Sequence, residues 1–168
     1  MQLELKSTKR TAIFNEIEEY LTSLKLNVVS KDFNRPWGGF FVIDERQAQR
    51  FANIFFPETE ALRKTGKLSS KILVVEPQKR LSWQYHNRRA EIWRSLSSEV
   101  GVVTSFTDEE NEEHSLQAGD EVRLAQGQRH RLVGLKDWGV IAEIWQHTDE
   151  NHPSDEEDII RVQDDFGR

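Results

Sequence analysis

The 168 residues predict an all-β fold, an antiparallel sandwich or closed barrel of short strands with one helix laid against it. Two observations carry that expectation. From Lys71 onward, short β-branched and aromatic runs recur at close to regular intervals, over 71–76, 81–86, 92–96, 100–106, 121–124, 131–135 and 138–145, with turn-forming or charged residues between them. No long helical pattern alternates with these runs, as it would in a parallel sheet.

Taken in order, the first element is the helix. Between residues 8 and 26, Ile13, Ile17, Tyr20, Leu21 and Leu24 recur at three- and four-residue spacing and form one apolar face, which should lie on the barrel. In 34–43, Pro36, Gly38 and Gly39 make a turn-like cluster that feeds a β-prone run ending at Ile43. Residues 44–66, rich in Ala, Arg, Glu and Leu, read as an insertion near the barrel mouth, with a second short helix or an ordered excursion expected over 57–63. The acidic run 108–113 reads as a solvated hairpin loop. The acidic stretch 153–157 is followed by Ile159, Ile160 and Val162, apolar enough to dock. A chain this long with 36% hydrophobic residues supports one core and not two. Residues 1–30 are therefore expected as a helical extension packed on a barrel of residues 31–168, one structural domain overall.

A net charge of −6 disfavours nonspecific attraction to nucleic acid or anionic lipid, so neither is an expected partner. With no cysteine, disulfides and thiolate metal sites are excluded, and any metal must be held by oxygen and imidazole nitrogen. No apolar run is long enough to cross a bilayer, and no basic region followed by an apolar stretch opens the chain, so a cytoplasmic location is expected.

One constellation carries chemistry. On a strand, Gln84 and His86 are two residues apart and share a face. Glu91 follows after a gap that permits a turn and return, and its parity with Trp93 aims both at the same interior. His130 comes after Gly119 and Gly127, which suit tight turns that bring one more imidazole inward. Two nitrogens and two oxygens without thiolate suit a divalent metal, zinc first, with manganese, iron, nickel or cobalt as alternatives, and four protein ligands leave positions open for substrate. A lone buried histidine is more often a satisfied core residue than a ligand; it is the spacing of the four that favours a site. His114, His147 and His152 lack comparable partners and are expected at the surface. Five tryptophans are mostly core, with Trp93 a candidate to line the pocket.

At these residues the chain resembles the cupin superfamily, and within it the C-terminal mannose-6-phosphate isomerase domain of the bifunctional phosphomannose isomerase/mannose-1-phosphate guanylyltransferases. Three stretches carry the resemblance: Arg35, Pro36, Trp37 and Gly38; the string Leu-Ser-x-Gln-x-His-x-x-Arg-Ala-Glu-x-Trp over 81–93; and the closing string over 157–168, which ends in Phe-Gly-Arg. It covers 35–37 and nearly all of 71–168. The resemblance implies a jelly-roll barrel in which Gln84, in the place of the usual first histidine, His86, Glu91 and His130 hold the metal. It also implies an active-site role for Arg168. Departures from the general pattern are Gln78 and Ser98 at glycine positions, Ala125 at a proline position, and Arg88 where the bifunctional enzymes carry another histidine. No nucleotidyltransferase domain is attached in this sequence.

The implied reaction is aldose–ketose isomerisation of a sugar phosphate, mannose 6-phosphate and fructose 6-phosphate being the leading pair. Such a site must stabilise negative charge developing on oxygen and must supply a base. Glu143, a carboxylate in the apolar run 140–145, is either inward and functional or outward and solvated. Arg88 and Arg89, flanking the ligand string, are candidates to bind substrate or to form surface or intersubunit ion pairs. Isomerisation of a different or unphosphorylated sugar, and noncatalytic sugar binding, stand as alternatives. A homodimer paired through sheets is expected.

Overall fold

A computed structural model of the protein describes residues 3–59 and 66–168. Among them eleven strands form two antiparallel sheets. The larger contains β1 (Val28–Arg35), β2 (Gly38–Ile43), β3 (Leu68–Val75), β10 (Gly139–His147), β5 (Arg89–Ser97) and β8 (Glu121–Leu124), in that spatial order. The smaller runs β11 (Ile160–Gln163), β4 (Trp83–Tyr85), β9 (Arg129–Gly134), β6 (Val100–Ser105) and β7 (His114–Leu116). All seven β runs read from the sequence are present, with ends shifted by a few residues. The turn before Ile43 belongs to a hairpin, because residues 28–35 pair with β2. Gly38 is required there: a Cβ at its φ of 145° would stand 1.9 Å from the Val74 carbonyl oxygen of the next strand. The acidic run 108–113 connects β6 to the short β7, and the apolar tail docks as β11 against β4.

The central strands are apolar on both faces, and parity separates two cores. Even positions, among them Ile72, Val74, Ile92, Val140 and Ile144, pack outward with the helices. Odd positions, among them Leu73, Val75, Trp93 and Ile141, pack inward with Val102, Leu132 and Leu81. Helix α1 (Arg10–Ser23) buries Ile13, Ile17 and Leu21 as its periodicity requires, and adds Phe14, stacked on Phe33 at 4.3 Å between ring centroids. It therefore packs on the barrel as expected.

The 44–66 segment departs from its reading. A 3-10 turn capped by Asp44 leads into α2 (Ala48–Phe55), which lies against β3 and β10 and buries Phe51, Ala52 and Phe55 in the outer core. The helix is thus earlier than 57–63 and sits on the back of the larger sheet, not at the barrel mouth. Three aromatic rings, Phe51, Phe55 and Phe56, decide this, since burying each contributes about 1.5–3 kcal/mol. Of 57–63, Pro57 and Glu58 form a turn and 60–63 lie outside the described residues. Gln78 and Ser98 both adopt left-handed backbone, with φ of 64° and 51°. No helix among the described residues is long and apolar enough to cross a membrane.

Candidate metal centre and its pocket

Strand β4 is short because its backbone leaves the sheet after Tyr85 into a turn over Asn87 and Arg88. That turn is held from outside by Asp158, whose buried carboxylate accepts the backbone N–H groups of Asn87 and Arg88, both at 2.9 Å, and the Ser154 hydroxyl at 2.6 Å. His86 lies at the strand's end, and β5 then returns with Glu91 and Trp93 facing the barrel interior. From the other side, Gln84 lies directly opposite His130 on β9, which places both side chains on one face of the smaller sheet.

His86, Glu91 and His130, all buried, present ligand atoms within 4.8 Å of one another. The histidines are preset for a cation. The Nδ1 of His86 lies 2.8 Å from the Asp158 carbonyl and that of His130 lies 3.0 Å from the Gln128 carbonyl. A carbonyl only accepts, so both protons sit on Nδ1 and both Nε2 lone pairs point inward, that of His86 accepting an N–H of Arg89 at 3.2 Å. Those two nitrogens face each other at 3.2 Å, and Glu91 adds its oxygens at 3.2 Å from His86 Nε2 and 3.6 Å from His130 Nε2. Two lone pairs at that distance repel; the Arg89 N–H eases this at His86, and a cation between the two nitrogens would remove it. Ligands each about 2.1 Å from one ion stand roughly 3.0–3.4 Å apart in tetrahedral or octahedral arrangements, so the donor set fits a divalent metal. Carbonyl partners behind metal-binding imidazoles are the usual way of fixing their orientation. Gln84 lines the pocket together with Glu91, and its side-chain oxygen accepts the Ser82 hydroxyl, leaving a further lone pair for the centre.

The electrostatics agree. Burial pushes Glu91 up, but His86 and then Arg89 outweigh it and hold the carboxyl well below its ordinary range. Burial pushes His130 down to about 4, with Glu91 opposing, so its imidazole is neutral and ready to ligate at physiological pH. Burial first, and the Glu91 charge second, push Glu143 up to about 8 against Lys71 and Arg89. Glu143 is inward: it accepts the indole N–H of Trp93 at 2.8 Å and that of Trp145 at 2.7 Å. The Trp93 N–H also reaches Glu91 at 3.0 Å, so one indole links the two carboxyl groups.

The arginines separate. Arg89 is buried in the pocket, but its donors go to Glu91 at 2.8 Å, His86 at 3.2 Å and Ser154 at 2.9 Å, and its plane stacks 3.5 Å from the Trp145 ring. It orients ligands. Arg88 is not among the pocket residues. Strand parity with His86 ends at Tyr85, and its guanidinium instead binds the Pro153 carbonyl at 2.8 Å and Asp155 at 3.1 Å. Of the two readings of Arg88, substrate binding is thereby corrected in favour of an ion pair near the surface; the backbone turn carries the side chain away. Arg168 lines the pocket and is held by Asp164 at 2.8 Å. Three groups went unassigned from sequence: Asp158, indistinguishable by composition from its acidic neighbours; Lys71, buried at 8% exposure; and Arg161, directly opposite Gln84. The apolar surroundings of Lys71 in 72–75 were the available signal for the second.

The family model described as mannose-6-phosphate isomerase C-terminal matches residues 51–164, more than half of the chain. No curated protein matches. Among solved structures, a mutant of Bacillus subtilis oxalate decarboxylase superposes with a TM-score of 0.57 at 12% identity, over 79% of this chain and 30% of that one. Lactobacillus farciminis oxalate decarboxylase, solved as a formate complex, gives 0.55 at 13% identity, over 79% and 33%. The chain thus spans about a third of those proteins, and at such identities the likeness is one of fold.

Proposed function

From the premise that the chain belongs to the mannose-6-phosphate isomerase C-terminal family of cupins, we propose that its pocket isomerises a sugar phosphate between aldose and ketose, mannose 6-phosphate and fructose 6-phosphate being the leading pair. The observation that carries the proposal is Glu143, a buried carboxyl that faces the pocket one indole away from a preset two-histidine, one-carboxylate centre. Gln84, His86, Glu91 and His130 would hold the metal, zinc in the first instance. When bound, a divalent ion supplies Lewis-acid stabilisation of negative charge on substrate oxygen. The chain's own residues do the rest. Glu143, facing the pocket beside the centre, is placed to accept a carbon-bound proton and return it one carbon along. Arg89 keeps Glu91 ionised and oriented, the walls of Trp37, Trp93 and Trp145 limit water, and Arg168 stands at the rim.

The test is a coupled isomerase assay on metal-replete protein with phosphorylated and free sugars. Metal-dependent turnover is expected, with His86→Ala and His130→Ala falling at least 100-fold, in line with the loss of a ligand. Metal-replete protein that neither interconverts the sugars nor admits solvent deuterium at C1 or C2 would refute it. A second reading, sugar binding without turnover, draws on the engagement of both Glu143 oxygens by indole N–H groups, which is also how a structural carboxyl would be satisfied. The deuterium experiment separates the two.

A further inference from the structure

Lys71 is a buried ammonium inside the pocket, with aromatic rings on two sides: Phe40 at 4.9 Å and Trp145 at 4.5 Å from Nζ. It lies directly opposite Glu143 across the β3–β10 pair. Its anionic partner comes from a different part of the chain. Glu156, on the loop between β10 and β11, reaches into the mouth and forms an ion pair with Lys71, although 62% of the Glu156 side chain remains exposed against 10% for Lys71. The pair is thus asymmetric. The ammonium cannot leave, whereas the carboxylate can swing into water at little cost, because a largely exposed side chain contributes little by staying.

Across the pocket stands Arg161. It lines the same mouth, lies directly opposite Gln84, and its side chain makes no ion pair or hydrogen bond among the described residues. The larger sheet therefore offers a buried ammonium and the smaller a free guanidinium, above a centre whose donor set is already complete.

We propose that Lys71 and Arg161 form an anion subsite for the phosphate of a phosphomonoester substrate, and that Glu156 is an internal competitor that occupies Lys71 until that phosphate displaces it. The subsite rests on the isomerase reading only for its purpose; the oxyanion chemistry stands on the charges themselves. Guanidinium and ammonium groups are complementary to phosphate, and a desolvated ammonium gains most from a dianion that replaces a monoanion. Glu156 has a second effect: with its carboxylate in place, the unliganded mouth is closer to neutral, which disfavours capture of stray anions and sets a threshold for entry.

Inorganic phosphate titrated into metal-free protein by calorimetry tests the subsite without interference from a metal. Arg161→Gln and Lys71→Met are each expected to weaken phosphate binding about tenfold. Glu156→Gln is expected to tighten it about fivefold, an effect that mere structural support would not produce. Unchanged or weaker binding in Glu156→Gln, or wild-type binding in both Lys71→Met and Arg161→Gln, overturns the proposal; folding of each variant is checked by near-ultraviolet circular dichroism. The isomerase assay fails independently: phosphate binding that obeys these substitutions without turnover leaves the subsite standing and removes the isomerase. Turnover of free sugars, with phosphate binding indifferent to the substitutions, does the reverse.

Discussion

A proton on the wrong nitrogen of either histidine would undo the centre, and what prevents it is a pair of backbone carbonyls, those of Asp158 and Gln128. Neither is visible as a side-chain pattern, so residue order names the candidate ligands without their tautomers. Glu143 shows the same division. Its place in an apolar run left inward and outward equally open, and the cross-strand pairing with Trp93 and Lys71 makes it inward. Its raised pKa has a consequence for stability. Between its ordinary 4.5 and about 8, the native state of the metal-free protein holds a proton that the unfolded chain has lost, so this residue's contribution falls as pH rises through that window. Glu143→Gln removes the dependence. Compared with wild type, the variant should gain stability steadily from pH 5 to pH 8 in urea unfolding of the metal-free protein, above a pH-independent offset from placing an amide beside an indole N–H. A wild-type-minus-variant difference that is flat with pH would show that Glu143 is not buried in this way.

At the scale of elements, strand periodicity was legible and helix placement only partly so. Alternation set which residues of 91–95 face the interior, the continuous apolar run 140–145 gave no such direction, and the 3.6-residue period located α1. Helix α2 was misplaced because Phe51, Phe55 and Phe56 read as part of a charged, alanine-rich stretch, and only their common burial with Phe14 and Ile17 reveals the back of the sheet as their destination. The connections carry strain that the sequence hinted at. Gln78 and Ser98, at positions where glycine was the general expectation, do adopt left-handed backbone, which costs a side chain roughly 1–2 kcal/mol. Gln78 offsets part of this by donating from its amide to the Leu135 carbonyl at 2.8 Å. Gln78→Gly should therefore raise the melting temperature by about 1–3 °C, reduced from the full relief by that lost bond and by the greater entropy of the unfolded chain. A calorimetric scan that shows a lower melting temperature would mean the side chain contributes more than its backbone costs.

For the whole molecule, the centre lies between the two sheets: Glu91 and Glu143 come from the larger, Gln84 and His130 from the smaller, and His86 from the turn that joins them. A bound ion would then tie the sheets together, and mass action makes it a stabiliser of the native state. At 100 times its dissociation constant, a divalent metal adds about 2.7 kcal/mol, several degrees in melting temperature for a chain of this length. Zinc should produce that shift in wild type and lose it in His130→Ala, and equal shifts in both would place the ion elsewhere. By itself the sequence determined the fold class, the family resemblance and the identity of the candidate ligands, because strand alternation and short-range spacing are local properties that residue order records directly. Only the tertiary structure decided the direction of Glu143, the diversion of Arg88 into the 153–158 loop, and the meeting of Lys71 with Glu156 in a pocket that Arg161 also lines. Those depend on which strands become neighbours and where a loop returns, distances set by packing between segments far apart in the chain and recorded in no single stretch of it.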